Sequence, residues 1–209
     1  MKRIGWLDYM KGIAILIVVM GHVAQSLGGN HTFAYLIVVL EMPLFFTLSG
    51  ILAVNTLDKP LSTNFRKKGK SLLLPMLLFG SVFALLDGTY HEFIMNAYHD
   101  GYWFLWSLFC CWVLFLPIAQ FSKRFNYLKF GNIIELVLLL IPFVLYKLIS
   151  NKIPPEISNV LTLNFTFTYY RFFIVGYYVG KLRKKGIKID DTLGGDSCGC
   201  YKFYPYWSM

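Results

Sequence analysis

Six apolar runs, divided by short charge-bearing loops, leave this chain few folds to choose from. They lie near residues 5–27, 33–54, 72–86, 102–121, 133–149 and 161–182, and each approaches the roughly 20 residues a helix needs to cross a bilayer. Runs this rich in Leu, Ile, Val and Phe offer no polar face with which to enclose a soluble core. In hydrocarbon every backbone N–H and C=O must be satisfied within its own segment, which selects helices over strands. The sequence therefore predicts an all-α fold, a polytopic integral membrane helix bundle with about six transmembrane helices. Charged residues make up 15% of the 209 and hydrophobic residues 56%, against roughly 25% charged in soluble domains. These proportions exclude a disordered chain and a disulfide scaffold.

A net charge of +9 taken alone suggests nucleic acid, but its placement argues for topology instead. Lys2 and Arg3 precede the first run; Lys59, Arg66, Lys67, Lys68 and Lys70 follow the second. Lys123, Arg124 and Lys129 follow the fourth, and Lys181, Arg183, Lys184, Lys185 and Lys188 the sixth. Fifteen basic residues thus fall on one side, while the other has Lys147 and Lys152 and an acidic loop with Asp87, Glu92 and Asp100. The positive-inside rule then puts both termini in the cytoplasm. The partner expected is a lipid bilayer and no nucleic acid. Asp8 and Lys11 interrupt the first run and no small-residue cleavage site follows, so it is expected as a retained span rather than a signal peptide. The transmembrane domain is expected over 1–189. Residues 190–209, with Asp190-Asp191, Gly194-Gly195 and Cys198-Gly199-Cys200, lack helical or strand period and read as an irregular tail. No metal site is expected from the four cysteines: Cys110 and Cys111 sit in an apolar run, and Cys198 and Cys200 have no ligand partners at suitable spacing.

A charge inside a span costs a few kcal/mol even on lenient scales, about 2.5–3.5 for Arg, Lys or Asp at the centre. Such residues are functional candidates: Asp8, Lys11 and His22 in the first run, Glu41 in the second and Arg171 in the sixth. Glu135, near an end, is expected at the interface. Lys11 and His22, eleven positions apart, return to nearly one helical face, separated by about 16 Å along the axis. Asp8 and Lys11, three apart, are helical neighbours. Two readings stand side by side here. Lys11 either snorkels to the interface or belongs to a polar stripe that includes His22. His22 either donates to a neighbouring carbonyl or carries protons near neutral pH. Glu41 enters from the outer side and shares the outer half with His22, where a carboxylate can orient an imidazole. Arg171 needs an acidic partner or a charged ligand. His91, Glu92, His99 and Asp100 fit a solvated outer loop better than a metal site. Trp103 and Trp106 fit an interfacial belt or a surface on which a sugar stacks. Gly176 and Gly180 are spaced for close helix packing.

Several stretches together resemble the family 3 membrane acyltransferases, which O-acylate cell-surface glycans and related acceptors in bacteria. Leu7-Asp8-Tyr9-Met10-Lys11-Gly12 through Gly21-His22 resembles the first-helix signature, a basic residue, ten intervening positions and a histidine. Met42-Pro43-Leu44-Phe45-Phe46-Thr47-Leu48-Ser49-Gly50 resembles the second-helix motif, and 66–75, a basic run ending in Leu-Leu-Leu-Pro, the loop into the third helix. Tyr102-Trp103-Phe104-Leu105 resembles the entry to the fourth helix, and Phe172 to Lys181 a later span. Lys11 stands where the family often has arginine, Glu41 where a histidine often precedes Met-Pro, and Gly101-Tyr102 where His-Leu is common.

The resemblance implies an acyltransferase of the bacterial inner membrane, transferring groups other than amino-acyl groups. It would move an acyl group, acetyl by default, from acyl-CoA (acetyl-CoA) to a hydroxyl of a glycan or lipid-linked acceptor, with no tightly bound cofactor. It implies His22 as general base or transient acyl carrier, with Glu41 beside it. Asp8, Lys11, Lys67, Lys68, Lys70, Trp103 and Arg171 form the implied substrate-binding set, the lysines holding coenzyme A phosphates. Family members typically have about ten spans, so the chain is expected to be the N-terminal part of the family fold. The alternatives are an inactive truncated remnant or a non-catalytic, transporter-like membrane protein.

Overall fold

The computed structural model describes residues 9–10, 12–14, 16–17, 19–20, 23, 31–125 and 130–184, with backbone alone at 31–38, 92 and 100. Asp8, Lys11 and His22 lie outside the described residues, as does the tail 190–209. Among the described residues the fold is all helix, with no strand. A first helical stretch within 9–23 is followed by α1 (His31–Ala53), α2 (Leu61–Asp87), the short α3 (Tyr90–Met95), α4 (Trp103–Ser122), α5 (Gly131–Ile149), the short α6 (Pro155–Val160) and α7 (Leu163–Lys184). Four stretches are long and apolar enough to cross a membrane: Val39–Thr56, Leu61–Asp87, Trp103–Phe125 and Gly131–Lys152. The last helix, α7, has the length but is diluted by Asn164, Arg171 and a basic final turn of Lys181, Arg183 and Lys184.

The third run differs from expectation. Residues 66–70 were expected in a loop, yet α2 is one helix of 27 residues that begins at Leu61 and carries the basic run on its first turns. Lys and Arg are good helix formers, and the breakers between Leu61 and the end at Asp87 are Gly69, Pro75 and Gly80. A membrane helix tolerates such a proline because its surroundings re-satisfy the freed backbone groups. At the far end Gly88, with φ of +70°, takes the left-handed conformation that stops the helix. The loop between α2 and α4 is also less solvated than expected: α3 tucks Phe93 against Gly80, and His99 is buried with its Nδ1 2.6 Å from the Phe93 carbonyl.

Helices α1, α4 and α7 run parallel to one another; α2 returns against α4, and α5 returns against α4 and α7. The tightest pair is α1 with α7. A Cβ on Gly50 would collide with the Phe173 carbonyl, one on Gly176 with the Thr47 carbonyl, and one on Gly180 would lie 2.7 Å from the Ile51 carbonyl. These glycines let two backbones touch, the packing expected of the Gly176 and Gly180 spacing. Against that pair α4 lays Trp112 and Phe115, whose rings meet Phe173 at 5.3 and 5.1 Å and Tyr177 at 4.8 Å from Phe115. The first helical stretch joins the other side of α1 through Ala14, buried with Leu48.

Lys59, Lys67, Lys123, Lys181 and Lys184 cluster at one end of the bundle, and Lys147 and Lys152 lie at the other. At the basic end the connection from α1 to α2 is clamped. The Asp58 carboxylate accepts from Lys123 at 2.8 Å and lies 3.7 Å from Lys184. Gln120 donates to the Lys59 carbonyl and Asn64 to the Thr56 carbonyl, both at 2.8 Å. The Lys123 hydrogen bond and charge, reinforced by Lys184, hold the Asp58 carboxyl below its usual range.

Candidate functional site

The basic end supplies the most legible part of the site. Lys67 and Lys70, three apart on α2, both point to solvent from the first turns of a helix that then enters the apolar layer. Lys68 is half-buried, its ammonium 3.7 Å from the centre of the Trp112 ring. That is a cation–π contact, worth about 0.5–2 kcal/mol depending on desolvation. Trp112 is itself fully buried and donates from Nε1 to Ser49 Oγ at 3.1 Å. A basic helix, an indole on α4 and a hydroxyl on α1 are thereby locked in one geometry. The sequence reading picked out Lys67, Lys68 and Lys70 but missed Trp112 and Ser49. Trp112 is one aromatic among many in an apolar run, and nothing local marks it.

Glu41 is buried on α1 at 3% exposure. It lies two turns from Ser49 toward the other end, about 12 Å along the axis. The pairing of Glu41 with His22 falls on a residue outside those described. Trp103 does not present an open stacking surface. Its ring sits against Phe165 at 4.4 Å and Tyr169 at 5.5 Å, and Tyr169 stacks in turn on Phe46 at 5.0 Å. It belongs to an aromatic ladder joining α1, α4 and α7.

Arg171 is not brought to the lysine cluster. It is exposed on α7, beside the Phe172 ring at 5.2 Å, and lines an open recess of about 160 Å³ with Phe143, Tyr146, Lys147, Asn164, Phe167 and Thr168. No carboxylate of the described residues pairs with it within 4 Å.

Glu135, near the start of α5, is turned into the bundle and is 1% exposed. Tyr177 donates to its Oε1 at 2.6 Å, Ser122 donates at 3.3 Å, and Lys181 binds its other oxygen. Burial is made tolerable because each carboxylate oxygen has a partner and the charge is neutralised. This network joins α4, α5 and α7. The sequence could not show it, because Glu135 and Lys181 lie on different helices. Among the described residues no group of three His, Cys, Asp or Glu side chains is spaced to hold a metal.

Long apolar helices packed through glycine contacts, with buried polar groups and one strongly basic end, define a multi-pass helical membrane protein. Within that class the chain belongs to the acyltransferase domain family 3, whose match spans residues 4–190. It is similar to nodulation protein NolL of Sinorhizobium fredii, 27% identical over 191 residues covering 81% of this chain and 47% of that protein. It is also similar to nodulation protein NolL of Mesorhizobium japonicum, 29% identical over 135 residues, 56% of this chain and 36% of that protein. The chain spans less than half the length of these curated relatives. No solved structure matches it.

Proposed function

We propose that this chain acts as a membrane-bound O-acyltransferase of the bacterial inner membrane, with both termini cytoplasmic. It would move an acyl group, acetyl by default, from acyl-CoA to a hydroxyl of a cell-surface glycan or lipid-linked acceptor. The observation that carries this reading is the family match across residues 4–190. Supporting it is the exposed pair Lys67 and Lys70 beside the anchored Lys68, three cations at the end where a cytosolic donor would arrive.

In this reading Lys67, Lys68 and Lys70, with Lys11, hold the coenzyme A phosphates, and Asp8 pairs with Lys11. His22 takes the proton of the acceptor hydroxyl as its oxygen attacks the thioester carbon. The C–O bond forms, the C–S bond breaks, and the coenzyme A thiolate leaves and recovers a proton from the imidazolium. Such general base catalysis is worth about 10²–10⁴-fold. Glu41 steadies the imidazolium from the outer half of α1. Acyl-CoA enters as a substrate; no tightly bound cofactor is invoked.

The test is transfer of radiolabelled acetyl from acetyl-CoA to cell-envelope material in membranes carrying the chain or its His22→Ala variant, matched for protein level. Label that disappears in His22→Ala supports the reading. Label undiminished by the substitution removes His22 from the chemistry, and no label from either leaves the non-catalytic alternatives.

A further inference from the structure

Asn164, Thr168 and Arg171 recur at intervals of four and three along α7 and so form one stripe of that helix. All three are exposed. The stripe faces away from the Trp112 core and lines the recess shared with α5, to which Lys147 adds a second cation. The floor is fixed: Tyr146 and Phe167 stack at 4.2 Å with their planes 10° apart. The Tyr146 hydroxyl donates to Asn164 Oδ1, which commits the acceptor of that amide and leaves its NH₂ as donor.

The polar groups turned to this recess are therefore mainly donors: a guanidinium, an ammonium, an amide NH₂ and a hydroxyl. Neither cation has a carboxylate within 4 Å among the described residues. Two like charges around one recess repel each other unless an anion sits between them. A donor-rich lining suits a phosphate better than a neutral sugar, whose hydroxyls need acceptors as well. Beside the recess α5 turns Val144, Leu145 and Leu148 outward, each more than half exposed. An aliphatic chain can lie along these residues while its head group sits on the cations.

We propose that the recess between α5 and α7 binds the phosphate of an anionic phospholipid, in the leaflet at the end opposite the basic cluster. Arg171 and Lys147 grip the phosphate, Asn164 and Thr168 donate to it, and the acyl chains run along α5. This site is separate from acyl transfer and is expected to persist in His22→Ala.

The test uses the full chain in detergent micelles and measures retention of phosphatidylglycerol, diacylglycerol of the same chain length, and inorganic phosphate. Phosphatidylglycerol should be retained at least about tenfold better than diacylglycerol, with retention falling as salt rises, because the contact is ionic. Lys147→Gln/Arg171→Gln should lose at least about tenfold in phosphatidylglycerol retention, and Arg171→Lys should fall between, since it keeps charge but not the two-pronged contact. Equal retention of the two lipids by the unmodified chain overturns the proposal without need of any variant. So does undiminished phosphatidylglycerol in the double variant, or inorganic phosphate bound as tightly as the lipid, which would make free phosphate the ligand.

Discussion

Replacing Glu135 by Leu removes the one carboxylate that neutralises Lys181 within the bundle. Lys181 is 19% exposed on its side chain and Glu135 1%, so the cation left behind is largely shut off from water. The Tyr177 hydroxyl loses its 2.6 Å acceptor in the same step. Breaking a buried pair from one side costs about 3–5 kcal/mol, because the surviving charge is uncompensated. With tenfold in an equilibrium for each 1.4 kcal/mol, the folded-to-unfolded ratio should fall by roughly 10²- to 10³-fold or more. The double replacement Glu135→Leu/Lys181→Met removes both charges and should recover most of this. What remains is the unmet Tyr177 hydroxyl, about 1–3 kcal/mol. The assay is reversible unfolding of the purified chain in mixed micelles, followed by helical circular dichroism across the four members of the cycle. A double variant no more stable than Glu135→Leu would refute the reasoning, since the loss would then be one of packing rather than of a stranded charge.

Gly176→Leu should separate α1 from α7, because even a Cβ there meets the Thr47 carbonyl; overpacking of this kind costs about 1–3 kcal/mol or more and is read as a lowered midpoint of thermal unfolding, with Gly12→Leu, which has open space, as the control. Asp58→Asn should destabilise slightly at pH 7, and the gap from the parent should close on acidification. The folded Asp58 pKa lies below its ordinary 3.8, so its pairing stabilises above that value and is lost as pH falls through the lower folded pKa; a gap that widens in acid would contradict the assignment.

The all-helical architecture was legible because hydrophobic run length is a local property, and the Gly176 and Gly180 spacing announced a close helix contact for the same reason. Charge was a poorer guide. It made 66–70 look like a loop, although lysine and arginine extend a helix readily wherever no breaker intervenes. Nor does anything near Glu135 in sequence reveal that Lys181 and Tyr177 will surround it. Trp103 read as an interfacial-belt residue or a stacking surface because its residue type allows either; its packing against Phe165 and Tyr169 is a tertiary fact. Lys67, Lys68 and Lys70 were found from sequence, but the indole that anchors one of them was not, because an aromatic in an apolar run carries no distinguishing pattern.

The contact of α1 with α7 also sets an order of events during synthesis. Gly50 and its partners Phe173 and Tyr177 are over a hundred residues apart along the chain. At translation rates of about 5–20 residues per second, α1 waits roughly 6–25 s before its partner emerges. For that interval its notch must be occupied by lipid tails or by a provisional neighbour, and α7 must displace the occupant to dock. A pause introduced between α5 and α7 would lengthen only this waiting state. Its lifetime therefore sets how long the half-assembled bundle is exposed to membrane proteases.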